Sequence, residues 1–252
     1  MLRGLLRPKW IAIHLGVWAL IVLMVNLGTW QLRRLDEKRT FNALVTSRSE
    51  KPVAELGRVP EPIVPADAEW LRVSVSGTYH PEKAVRVVNR SQDGAAGYDQ
   101  VVPLWTDSFG WIIVNRGFVP LSADVTASVP GDRVDVMGYL RTSQRKGLFG
   151  AVDSTESTNK DFQRFDIPLM SRQLQGKVFP MYLQRLQESP AASGDWPALV
   201  AFPELTEGPH QSYAVQWFFF SAVAVAAWLV VVRRKWREPT ASPPESPSGT
   251  SA

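Results

Sequence analysis

Two long apolar runs frame the chain, one from Trp10 to Trp30 and one from Tyr213 to Val232. Each supplies about the 20 apolar residues that a helix needs to cross the hydrocarbon of a bilayer. Transmembrane helices are therefore predicted over 10–30 and, counting the polar turn that leads into the second run, over 210–232. Beyond Gln31, Leu32, Leu35 and Leu44 recur among charged residues, so the first helix is expected to continue to about Ser47.

Between the runs the hydrophobic period changes to two. Leu71, Val73 and Val75 alternate with Arg72, Ser74 and Ser76, as in a half-buried strand. Further strands are predicted at Val85–Asn89, Tyr98–Trp105, Trp111–Asn115 and Val134–Leu140, with Thr106–Gly110 as a hairpin turn. Lys51–Ala66 carries four prolines and reads as an extended linker. Thr142–Lys160 is polar and irregular and is expected to be a mobile loop. Ile167–Leu174 predicts a short helix, and Val178–Leu186 a final strand whose Pro180 favours a sheet edge. Val-Asn-Arg at 88–90 and again at 114–116 suggests paired strands. The expected fold is a membrane-anchored α+β architecture, with two transmembrane helices flanking a mainly antiparallel β barrel or sandwich domain over 31–209.

Charge sharpens this picture. The formal net charge is +4, but residues 40–209 hold 17 basic and 20 acidic side chains, a net of −3. The basic excess lies in the flanks of the apolar runs, which leaves no basic face for nucleic acid. Arg233, Arg234, Lys235 and Arg237 follow the second run, whereas 194–209 has no Lys or Arg, so the C-terminus is expected in the cytoplasm. The first run is flanked by basic residues on both sides. An even number of spans then places residues 1–9 in the cytoplasm too, and the central domain outside. The tail over 233–252 reads as basic, then Pro- and Ser-rich and disordered. Nine residues before the first run are too few for an organelle transit peptide, which favours a bacterial plasma membrane. The run's end at Gly28-Thr29-Trp30-Gln31 offers no signal-peptide cleavage site.

Cysteine is absent, which excludes disulfides, thiol catalysis, the c-type haem attachment motif and thiolate sites for Cu(I) or zinc. There is no nucleophile elbow and no Gly-rich phosphate loop, so an enzyme is not expected. The most pointed chemistry is His210, which opens the second span. On a helix, His210, Tyr213, Ala214 and Trp217 share a face, with Ser221 and Ala224 continuing the stripe. The positive end of the helix dipole disfavours imidazolium, and neutral imidazole is the form that binds iron. Tyr213 offers a hydrogen bond and Trp217 a flat apolar wall, so this face suits haem held by an axial histidine. The bland alternative is an interfacial aromatic belt. His14, about 25 Å deeper by helix rise, is expected to be a packed or interfacial residue. Asn26 should want a partner on another helix. Arg116 before Gly117 reads either as a strand-end arginine paired with a carboxylate or as a contact for a partner or anionic group.

Four strings occur in one order: Leu27-Gly28-Thr29-Trp30-Gln31-Leu32-Arg33-Arg34-Leu35-Asp36-Glu37-Lys38, then Gly97-Tyr98 with Pro103-Leu104, then Val114 to Pro120, then His210 to Phe218. With the two-span layout they resemble the Surfeit locus protein 1 family, the Shy-type cytochrome oxidase assembly factors. The resemblance implies a non-enzymatic factor for haem-copper oxidases. It would bind haem a at His210 and pass it to the oxidase catalytic subunit, with a further contact to haem a synthesis machinery. Beside the resemblance, and from the residues alone, partner contacts are expected on Trp30, Gln31, Asn115, Arg116 and Gly117. Phe118 stands where the family usually has Trp, and Gln211 where it often has Leu. The alternative is a cofactor-free membrane scaffold that docks oxidase subunits during assembly.

Overall fold

The computed structural model describes residues 7–60, 62–123, 129–148 and 150–237. The expectations for the first residues and for the tail beyond 237 lie outside these. Contacts divide the chain into two units, residues 1–42 with 205–252, and residues 43–204.

The first unit is a helical hairpin. Helix α1 runs unbroken over Pro8–Ser49 and carries on into the second unit, two residues past its expected end. The closing helix of the chain, His210–Arg237, pairs with it. Both are long and apolar enough to cross a membrane, and only 17% and 6% of their most apolar windows are buried. A core helix of a water-soluble protein would be mostly covered, so this exposed apolar surface is compatible with lipid. The covered positions of α1 include His14, Val17, Ile21, Met24, Gly28, Gln31 and Leu35, with Leu27 and Thr29 part-covered beside them. On the closing helix they include His210, Ala214, Trp217, Ser221, Ala224 and Trp228. Steps of three and four alternate on both, the 3.5-residue repeat of a left-handed coiled-coil seam. Gly28 is part of that seam because a Cβ there would come within 2.9 Å of the Phe218 ring. Asn26 needs no second helix: its amide donates to the Val22 carbonyl at 2.8 Å, one turn back on its own helix.

The second unit is built on one mixed sheet. Its strands are β1 Ala54–Glu55, β2 Arg72–Tyr79, β3 Val85–Gln92, β4 Ala95–Thr106, β5 Gly110–Pro120, β6 Arg133–Thr142, β7 Asp161–Phe162 and β8 Val178–Ser189. They follow the order β1-β2-β6-β8-β5-β4-β3-β7. A short extra pairing of Thr78 and Tyr79 with Trp105 and Leu104 joins β2 to β4, so β2, β6, β8, β5 and β4 follow one another around a ring. Short helices α2 (Pro65–Ala68) and α3 (Ile167–Met170) lie between strands.

Strand β2 alternates buried and part-exposed residues, as its period predicts. Strand β5 is buried almost throughout because both of its faces are covered. Ile112 and Val114 enter one core with Val75, Leu104, Leu140 and Leu183, while Ile113 enters another with Val87, Phe162, Phe165 and Tyr182. The 106–110 turn forms as expected. Thr106 Oγ1 accepts from the Phe109 amide at 3.1 Å and donates to the Gly110 carbonyl at 2.9 Å, with Gly110 at φ +72°.

Three expectations need correction. Strand β8 is central, between β5 and β6, rather than at an edge. Its Pro180 is tolerated because the β5–β8 register shifts there, so the missing N–H falls at an irregularity. The two Val-Asn-Arg triplets lie on β3 and β5, which flank β4 and do not pair with each other. The linker over 51–66 contains β1, a 3-10 turn at Leu56–Arg58 and the start of α2.

Candidate functional site

At one end of the hairpin, His210 begins its helix, numbered α4 from here, half-buried against α1. Its ring Nδ1 lies 2.8 Å from Oε1 of Gln31. The approach to α4 is shaped by Gly208, whose φ of +66° belongs to the left-handed region that glycine adopts freely. The first turn of α4 is closed by the Tyr213 amide on the Pro209 carbonyl at 3.1 Å and by the Ser212 hydroxyl on the same oxygen at 2.8 Å. Two turns beyond Gln31, Arg39 donates twice to Glu207, at 2.8 and 2.9 Å, tying the segment before α4 to α1. The hydrogen bond and charge of Arg39 hold the Glu207 carboxyl below its ordinary range. Both side chains are half exposed, so the clasp is a weak, solvent-screened surface pair.

The predicted stripe divides. Ala214 and Ser221 are buried and Trp217 is partly covered, its ring edge-on to Phe220 at 6.2 Å. Tyr213 stands outside the seam at 47% exposure, as does Trp30 at 48%. At the opposite end of the hairpin, the Trp228 indole donates to His14 Nδ1 at 3.1 Å, with Trp10 and Trp18 close by. His14 is thus a packed residue, as expected.

In the sheet unit, Arg116 is fully buried. Its guanidinium meets Glu188 at 2.6 Å, Gln100 Oε1 at 3.0 Å and the face of Tyr79 at 5.2 Å. Arg185 reaches the same carboxylate at 2.8 Å, and the Tyr79 hydroxyl donates to it at 3.1 Å. Burial alone would push the Glu188 carboxyl up. The hydrogen bond and charge of Arg116, helped by Arg185 and Tyr79, outweigh burial and hold it below the ordinary range. Burial pushes the Tyr79 hydroxyl far up, which keeps it a donor. This is the carboxylate-paired reading of Arg116. Asn115 is buried too and donates to Asp99 at 3.3 Å. Gly117, at φ +134°, accommodates the bridge of Phe118 to Ala198, since a Cβ there would overlap the Ala198 carbonyl. Asn115 and Arg116 therefore present no free side chain to a docking partner, because the domain's own charges engage them.

A cavity of about 560 Å³ lies in the sheet unit between Ser74, Ser76, Asp107, Phe109, Arg133 and Asp135, and none of the sequence-predicted site residues lines it. Among the described residues no three His, Cys, Asp or Glu side chains converge as a metal-ion site.

The model of the SURF1 family matches residues 18–222, which take in most of α1, the sheet unit and the first part of α4. The chain belongs to the SURF1 family. An uncharacterised SURF1-like protein of Mycobacterium bovis is 28% identical over 96% of this chain and 92% of its own length. SURF1-like proteins of Rickettsia bellii, at 24% identity, and of Monosiga brevicollis, at 26%, cover 90% and 86% of the chain and 92% and 87% of themselves. The four strings that suggested the family all fall at least partly within the matched region. What sequence reasoning missed is the tie between two of them. Gln31 in the first string faces His210 in the last, and no spacing rule relates residues 179 positions apart.

Proposed function

We propose that this SURF1-family chain is a membrane-anchored assembly factor for a haem-copper cytochrome c oxidase. It holds haem a transiently at His210 and helps deliver it to the catalytic subunit. Both termini face the cytoplasm of a bacterium and the sheet unit faces outward. The reading is carried by one observation: a half-buried imidazole at the start of α4, turned towards the companion helix and, among the described residues, hydrogen-bonded on one ring nitrogen only.

The donor set suits haem better than a bare ion. A metal ion asks for three or four protein ligands, whereas a porphyrin brings four nitrogens and asks the protein for an axial one. When bound, haem supplies the iron and the macrocycle destined for the oxidase; the chain supplies His210 as ligand. Trp217 lies two turns along α4 on the same seam and offers an apolar wall, and Tyr213 is exposed at the same end of the hairpin.

A second reading, a cofactor-free scaffold, draws on the exposed rings of Trp30 and Tyr213, which suit contact with an oxidase subunit in the membrane. Purified full-length chain from cells that make haem a discriminates the two. On the carrier reading, wild type carries a haem absorption spectrum that His210→Ala lacks. Equal spectra, or none in either, leave the scaffold reading.

A further inference from the structure

We infer that Gln31 is a positioning residue that fixes the ring tautomer of His210 and so leaves Nε2 as a bare nitrogen donor. The purpose assigned to this arrangement rests on the haem-ligand reading; the arrangement itself does not. An amide oxygen has lone pairs and no proton, so the 2.8 Å contact from His210 Nδ1 to Gln31 Oε1 requires the proton to sit on Nδ1. A neutral imidazole carries one N–H, and Nε2 is then left with an unshared pair. That nitrogen lies over Gly208. A Cβ at position 208 would stand 3.6 Å from both Nε2 and Cδ2, and glycine has none. The residue that lets the chain turn at φ +66° also keeps the approach to Nε2 clear of a side chain.

The other histidine of the hairpin shows that the choice is made by the neighbour. The indole N–H of Trp228 only donates, so His14 Nδ1 accepts, at 3.1 Å. The proton of a neutral His14 then sits on Nε2, and its lone pair is engaged. Two imidazoles in one pair of helices thus hold opposite tautomers, one facing an amide oxygen and one facing an indole donor. Of the two, His210 is the one that keeps a nitrogen without a partner among the described residues. A partner on the non-ligating nitrogen is the usual way proteins orient a metal-binding histidine, and losing it typically weakens binding 10- to 100-fold.

The full-length chain, labelled with ¹⁵N-histidine and held without haem in lipid nanodiscs, gives a direct test. Long-range proton–nitrogen correlations report which ring nitrogen carries the proton, with signals assigned by His210→Ala and His14→Ala. The expected result is Nδ1–H at His210 and Nε2–H at His14. Gln31→Leu should mix the His210 tautomers and leave His14 unchanged, whereas Gln31→Glu, which keeps an acceptor oxygen, should preserve Nδ1–H. In a hemin titration Gln31→Leu should bind about 10- to 100-fold more weakly, with Gln31→Glu much closer to wild type. A wild-type His210 protonated on Nε2, or a ring unaffected by Gln31→Leu, overturns the assignment. If the tautomer responds to Gln31→Leu but hemin binding ignores both that change and His210→Ala, the assignment of Gln31 stands and the haem reading falls.

Discussion

Arg116 in the sheet unit and His210 in the hairpin both stand out in the sequence as polar residues asking for a partner, and the structure resolves them in opposite ways. Arg116 is enclosed, and its contacts with Glu188, Gln100 and Tyr79 form part of a network that also takes in Arg185. Among the described residues His210 has a single side-chain hydrogen-bond partner, Gln31, on one ring atom, and its other nitrogen faces a glycine. A saturated polar network stabilises and specifies a fold. A half-satisfied one leaves chemistry available. The difference separates a structural residue from a candidate ligand more sharply than residue type does.

That contrast can be broken at several points. The largest effect is expected at Arg116. Arg116→Leu strands the buried Glu188 carboxylate beside Tyr79 and should cost about 3–5 kcal/mol of stability, partly relieved by Arg185. Denaturant unfolding followed by tryptophan fluorescence measures it; a loss below about 1 kcal/mol would mean that the network is dispensable. His210→Ala should do the reverse, leaving the unfolding midpoint nearly unchanged while removing haem. A comparable drop in stability would make His210 a packing residue instead.

The pH dependence follows from the sign at Glu188. Its carboxyl is held below the ordinary range in the folded chain, mainly because the hydrogen bond and charge of Arg116 outweigh burial. The stability it contributes is therefore fully present above the ordinary carboxylate range and is lost as pH falls through the lowered value. Glu188→Gln should be less stable at neutral pH and flatten the decline on the acid side. A smaller effect is expected at Gly28→Ala, whose new Cβ forces the Phe218 ring to shift and loosens the seam next to Gln31; a few-fold weaker hemin binding with little change in the sheet unit is the expected result. The smallest belongs to Arg39→Ala, which removes a half-exposed, solvent-screened clasp and should leave the unfolding midpoint almost where it is in wild type.

Periodicity carried much of the architecture. The two apolar runs, the alternation in β2 and the Thr106–Gly110 turn are local patterns, and local patterns survive folding. The placement of β8 was not legible, because Pro180 is as compatible with a bulge in a central strand as with an edge. Nor was the fate of Tyr213. The i, i+3, i+4 rule puts it beside His210, but the 3.5-residue seam runs through Ala214 and Trp217 and turns Tyr213 outward. His210 could be singled out from sequence by its position. Its partner Gln31 could not be, since that pairing exists only once two distant helices meet.

Optical spectroscopy of the full-length chain purified from haem a-producing cells, run side by side with His210→Ala and His14→Ala, addresses the carrier reading most directly. Haem retained by wild type and by His14→Ala, but lost from His210→Ala, is the predicted outcome. Haem that persists without His210, or that disappears equally from both variants, would contradict it.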